Sequence, residues 1–204
     1  MRKLMLGVVL LWCGALFAQV NPYVTGLVGV NGNMGYSNPM AEAGVGLESQ
    51  GPNYFFDFNA RVAFDRKLET GDGHTVYASG MGYMKLGRAF VGGGMNHAQL
   101  STSLWSKSRT APTIGAMFNI NRARIRANYQ FAGTDKLNGG RTVGGSVEFF
   151  LTNRIRLVEQ ISVVSYHPTG QPNAARSAGI DVRTGIKFML GKRPKTRQIA
   201  KGDD

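Results

Sequence analysis

Three histidines, His74, His97 and His167, are the side chains best suited to general acid–base work near neutral pH. Asp72 precedes His74 by two residues, so a carboxylate stands close to one imidazole. His167 lies between Tyr166 and Pro168, and Thr169-Gly170 follows where a nucleophilic serine would be needed. Asp72 and His74 supply only half of a hydrolytic constellation, and no serine follows His167 directly. No histidine cluster or cysteine pair has zinc-ligand spacing. No glycine-rich phosphate loop leads from a strand into a helix. The expectation is a protein that is not an enzyme, with no catalytic residue, no metal and no cofactor.

A larger set of charged residues falls at alternate positions of extended segments. The acids are Glu42, Glu48, Asp57, Asp65, Glu148 and Asp181. The bases are Arg61, Lys85, Arg124, Arg126, Arg156, Arg183 and Lys187. Buried charges cost several kcal/mol each unless paired. The near balance of signs favours a structural salt-bridge network in an enclosed lumen. The alternatives are a selectivity constriction in a pore and a catalytic set.

These residues need strands to position them. Ile180, Val182, Thr184, Ile186, Phe188 and Leu190 alternate with Gly179, Asp181, Arg183, Gly185, Lys187 and Met189. A strand sends alternate side chains to opposite faces, so one face suits hydrocarbon and the other carries charge. The same alternation runs through Ala41–Glu48 and Tyr54–Asp65. It returns in Thr75–Leu86, Thr113–Ile120, Arg124–Phe131 and Thr142–Leu151. Tyr23–Val30 and Ala89–Leu100 are weaker. Ile155–Tyr166 breaks phase at Val158-Glu159, which predicts a bulge. Short turns are expected at Ser49–Asn53, Gly87-Arg88, Asn121-Arg122 and Asn153-Arg154. Long loops are expected at Asn31–Pro39, Arg66–His74, Ser101–Ala111, Thr134–Gly140 and Pro168–Ser177. This long–short rhythm predicts an all-β, antiparallel up-and-down transmembrane β-barrel of about ten strands, or eight if the two weak strands are lost.

Composition agrees. Met1-Arg-Lys followed by the apolar run Leu4–Phe17 reads as a secretory signal peptide, cleaved after Ala18. The barrel then covers 19–190, and 191–204 is a basic, disordered periplasmic tail. The lone Cys13 lies in the leader, so the mature chain has no disulfide. The 28 glycines are about twice the usual share and suit a tightly curved sheet. The net charge of +12 points to a polyanion, and secretion makes that lipid or lipopolysaccharide phosphate rather than nucleic acid. Arg88, Arg122 and Arg154 in the short turns, with Lys192 and Arg193, face the periplasmic headgroups on this reading. Lys107, Arg109, Lys136 and Arg176 fall on the opposite side. Tyr54, Phe56, Phe58, Phe149 and Phe188 are candidates for interfacial girdles.

The ending Arg183-Thr-Gly185-Ile-Lys-Phe188-Met-Leu190 resembles the C-terminal assembly signal of bacterial outer-membrane β-barrels, with about fourteen residues added after it. Together with the leader and the loop rhythm, it makes the chain resemble the OmpA-like class of small transmembrane barrels, without a peptidoglycan-binding domain. The resemblance implies insertion in the bacterial outer membrane by the barrel-assembly machinery, using Arg183, Gly185, Phe188 and Leu190. The expected role is structural or surface-interacting. A narrow porin-like channel is the alternative, and a rim enzyme acting on lipid or peptide the third reading. The histidine segments do not complete the patterns of omptin proteases or lipid A deacylases.

Overall fold

The computed structural model describes residues 20–33, 36–68, 71–101, 106–131, 141–166 and 177–191. The expected leader and nearly all of the expected tail lie outside them. Ten strands follow one another: β1 (Val20–Asn33), β2 (Tyr36–Gln50), β3 (Tyr54–Leu68), β4 (Gly71–Leu86), β5 (Ala89–Ser101), β6 (Ser106–Ile120), β7 (Ala123–Gln130), β8 (Arg141–Phe150), β9 (Ile155–Tyr166) and β10 (Ser177–Met189). Each pairs antiparallel with its neighbours in sequence, and β1 pairs with β10, from Tyr23 opposite Met189 to Asn33 opposite Gly179. The sheet is a closed barrel with no free edge.

Alternation decides which face turns outward. Val28, Val45, Phe64, Val143 and Ile180 are each more than half exposed on the outside. Tyr23, Glu48, Phe55, Arg124, Lys187 and Met189 are buried inside. A continuous apolar exterior of this extent would not persist in water. In a bilayer the same exterior is solvated by lipid, and ring closure pairs the backbone groups of adjoining strands. No helix among the described residues is long and apolar enough to cross a membrane; this chain crosses with strands.

Four short connections share one end: 51–53, 87–88, 121–122 and 151–154. Gly87 (φ 62°) and Asn121 (φ 48°) take the left-handed conformation that a two-residue hairpin needs at its first turn position. In the fourth turn the Thr152 hydroxyl accepts hydrogen bonds from the backbone N–H of Arg154 (3.1 Å) and Ile155 (3.0 Å).

At the other end the expectation needs correction. Segments 31–39 and 66–74 are mostly strand: pairing continues to Asn33 opposite Tyr36 and to Leu68 opposite Gly71. Segment 106–111, expected in a loop, opens β6. Asn, Ser and Gly there reflect hairpins continuing into water, where polar residues pair their backbones as well as apolar ones do. Segments 134–140 and 168–176 lie outside the described residues. The bulge expected at Val158-Glu159 is also absent: β9 keeps register with both neighbours. Val158 is an apolar residue pointing in and Glu159 an acid pointing out, which mimics a phase change. The register shift lies instead between Asp65 and Leu68 of β3.

Candidate functional site

The lumen holds a two-tier network of ion pairs. The tier nearer the short turns is built on three carboxylates. Glu48 (β2) accepts from Arg156 (β9) through both oxygens, at 2.6 and 2.9 Å. It also accepts from Lys187 (β10) at 2.9 Å and Arg124 (β7) at 3.4 Å. Glu148 (β8) meets Arg126 at 2.9 Å, Arg156 at 3.0 Å, Lys187 at 3.5 Å and Arg124 at 3.6 Å. Asp57 (β3) accepts from Arg126 at 2.5 Å and from the Tyr23 hydroxyl at 2.6 Å. The second tier lies further from the turns. There Glu42 pairs with Arg61 at 3.1 Å and closely with Arg183, while Arg183 also donates to Asp181 at 2.8 Å.

Six cations thus meet five carboxylates among the described residues. The pairs span the ring, from β2 to β7, β9 and β10, so they cross the lumen as well as lining its wall. Aromatic rings fill the gaps. The Arg124 guanidinium stacks 4.3 Å from the Phe55 ring centroid, Arg156 lies 4.8 Å from that of Phe150, and the Lys187 ammonium sits 3.8 Å from that of Tyr23. Phe55, Met81, Tyr83, Phe90 and Met117 form one buried cluster beside them.

Small wall residues make room for the long side chains. The Tyr23 ring crosses β2 directly over Gly46 to reach Asp57 on β3; a Cβ at Gly46 would collide with that ring. At Gly185 the backbones of β10 and β1 approach closely, and a Cβ there would strike Gly26 and Leu27.

Of the thirteen residues expected in the network, the structure brings eleven together: Glu42, Glu48, Asp57, Arg61, Arg124, Arg126, Glu148, Arg156, Asp181, Arg183 and Lys187. Lys85 is a correction. It has inward phase, but it lies beside the β4–β5 turn, is exposed, and enters none of these pairs. Asp65 pairs its backbone with Met40; its side chain lies outside the described ones. Of the residues in the expected assembly signal, Arg183 and Gly185 point inward, whereas Phe188 and Leu190 point outward.

Sequence reasoning left out the neutral members: Tyr23, Gln50, Phe55, Tyr83, Asn119 and Asn128. Phe55 shares its phase with Asp57 and Arg61, which was the available signal. Of the histidines, His74 is exposed, and His97 on the outer face lies 2.8 Å from the Thr110 hydroxyl. His167 and the side chain of Asp72 lie outside the described residues.

No protein-family model matches the chain. No curated protein matches it in sequence. Among solved structures it is similar to the translocator domain of the autotransporter NalP from Neisseria meningitidis, at 9% identity over 91% of this chain and 97% of that one, with a TM-score of 0.47. It is similar to the outer membrane phospholipase A from Escherichia coli at 9% identity, over 80% and 92% of the two chains, with a TM-score of 0.41. It is also similar to an anion-selective porin from Comamonas acidovorans, at 8% identity over 74% of this chain, with a TM-score of 0.41. The chain spans about half the length of that porin, 49%. Ring closure, an apolar exterior and an ion-paired lumen make this chain a transmembrane β-barrel of ten strands.

Proposed function

We propose that the protein is a closed structural barrel that presents its external connections at the cell surface and passes no sugars or larger solutes. One observation supports this reading: cation–carboxylate pairs cross the lumen in two tiers, with aromatic rings between them. A ring of this strand number is only slightly wider than one whose interior side chains fill. On this reading the exposed arginines of the short turns, Arg88, Arg122 and Arg154, meet anionic headgroups. The external side meets lipopolysaccharide, and Phe188 and Leu190 serve recognition by the assembly machinery. The reading assigns no catalytic step.

A narrow channel is the second reading. Its support is the surplus of one cation in the network, together with buried polar atoms of Thr25, Asn59 and Asp181 that have no hydrogen-bond partner among the described residues. Liposome swelling separates the two. Purified protein should leave sugars impermeant, and planar bilayers should show little steady conductance. Reproducible swelling in sugars would replace the closed barrel with the channel.

A further inference from the structure

Glu159 points out of the barrel, into the apolar exterior. Its neighbours across the sheet are Val147 on β8 and Thr184 on β10. The outward series on β9 is Ile155, Leu157, Glu159, Ile161 and Val163, which puts the acid in the middle row of the lipid-facing band. The Thr184 hydroxyl donates to it at 2.6 Å and is its one hydrogen-bond partner among the described residues. It borders a groove whose lining includes the outward Ile125, Gly145, Val147, Ile161 and Val182 along with Arg126, Ser146 and Gln160 of the inward phase. Gly145 lets another backbone approach the floor closely.

An ionisable side chain at this depth is costly in lipid and ordinarily pairs with another group. An acyl chain fills such a groove but offers no donor to a carboxylate. A second copy of this chain offers at this depth the Thr184 hydroxyl, already engaged with its own Glu159; among the described residues, no lysine, arginine or amide side chain points outward there. The outward His97 lies further from the short turns and is already engaged with Thr110. We propose that the groove beside Glu159 docks a membrane-embedded segment of a different protein, one that presents a basic or amide side chain to this carboxylate. Thr184 holds the carboxylate toward that donor, and Gly145 lets the segment lie against the wall.

The test places a photoreactive phenylalanine derivative at Ile161 of the full chain in native outer membranes. Heat-shift electrophoresis checks that every variant is folded. The expected adduct is with one other polypeptide, mapping to a segment that carries a Lys, Arg, Asn or Gln. Adduct yield should fall about tenfold in Glu159→Leu, the loss of one charge-assisted hydrogen bond, and survive in Glu159→Asp. Glu159→Lys combined with an acid in place of the mapped donor should restore it. An adduct with a second copy, adducts with lipid alone, or an unchanged yield in Glu159→Leu would each overturn the proposal.

Discussion

Glu48 is held by cations from three strands, Arg124, Arg156 and Lys187, and is 3% exposed. Removing its carboxylate leaves those three cations, with Arg126, to share Glu148 in a closed lumen. Breaking a buried ion pair by deleting one partner costs about 3–5 kcal/mol, so Glu48→Ala should lower the urea stability of the lipid-embedded barrel by that order. Lys85→Ala, at an exposed position outside the network, should change it by less than about 0.5 kcal/mol. Tyr23→Phe removes a single hydrogen bond to a charged acceptor and should fall between, at about 1.5–3 kcal/mol. At this scale the charged residues were legible because charge at alternate positions betrays an enclosed face. Their pairing was not: Arg124 and Glu48 are 76 residues apart, and only barrel closure brings them together. Tyr23 lies in a glycine-broken strand whose facing the sequence leaves open, and Phe55 stands between the outward Tyr54 and Phe56, so that only the phase of Asp57 and Arg61 marks it as inward.

The strands themselves were the most legible elements, since hydrocarbon outside and charge inside impose a period of two. Ala127 on β7 shows the rule in testable form. It points outward and is exposed, while Asn128 points inward and accepts from the Tyr83 hydroxyl at 3.2 Å. Arginine in the middle of the lipid-facing band costs about 2–4 kcal/mol. Ala127→Arg should therefore destabilise the barrel by about that amount, whereas Ala127→Leu should be close to neutral in the same unfolding measurement. Strand ends were less legible, because Asn, Gly and Ser mark both a loop and a hairpin extended into water. The phase of β9 is obscured in the sequence for a different reason. An acid on the lipid-bathed wall, next to an apolar residue in the lumen, has the pattern of an inserted residue although the register is unbroken.

For the whole molecule, the four short turns at one end imply an orientation that labelling can check. A cysteine at Asn153, in the β8–β9 turn, should resist an impermeant maleimide on intact cells. One at Gln171, in the β9–β10 connection, should react. Reversed labelling would invert the barrel. Strand number and topology were legible from the alternation of runs and turns. The register of β1 on β10, with Tyr23 opposite Met189, was not, because it is set by closure of the ring and has no local signal. The distribution of lumen charge along the chain has a further consequence. The first six strands bring Glu42, Glu48 and Asp57 to the network with Arg61 as their one cation, whereas Arg124, Arg126, Arg156, Arg183 and Lys187 lie on β7, β9 and β10. The acidic part depends on the C-terminal strands for its counterions, and Glu48 has its full set only with β10 and its Lys187 in place. Neutralisation and ring closure are therefore coupled: a chain truncated after β6 carries an acidic face with too few cations and should find no stable place in the bilayer.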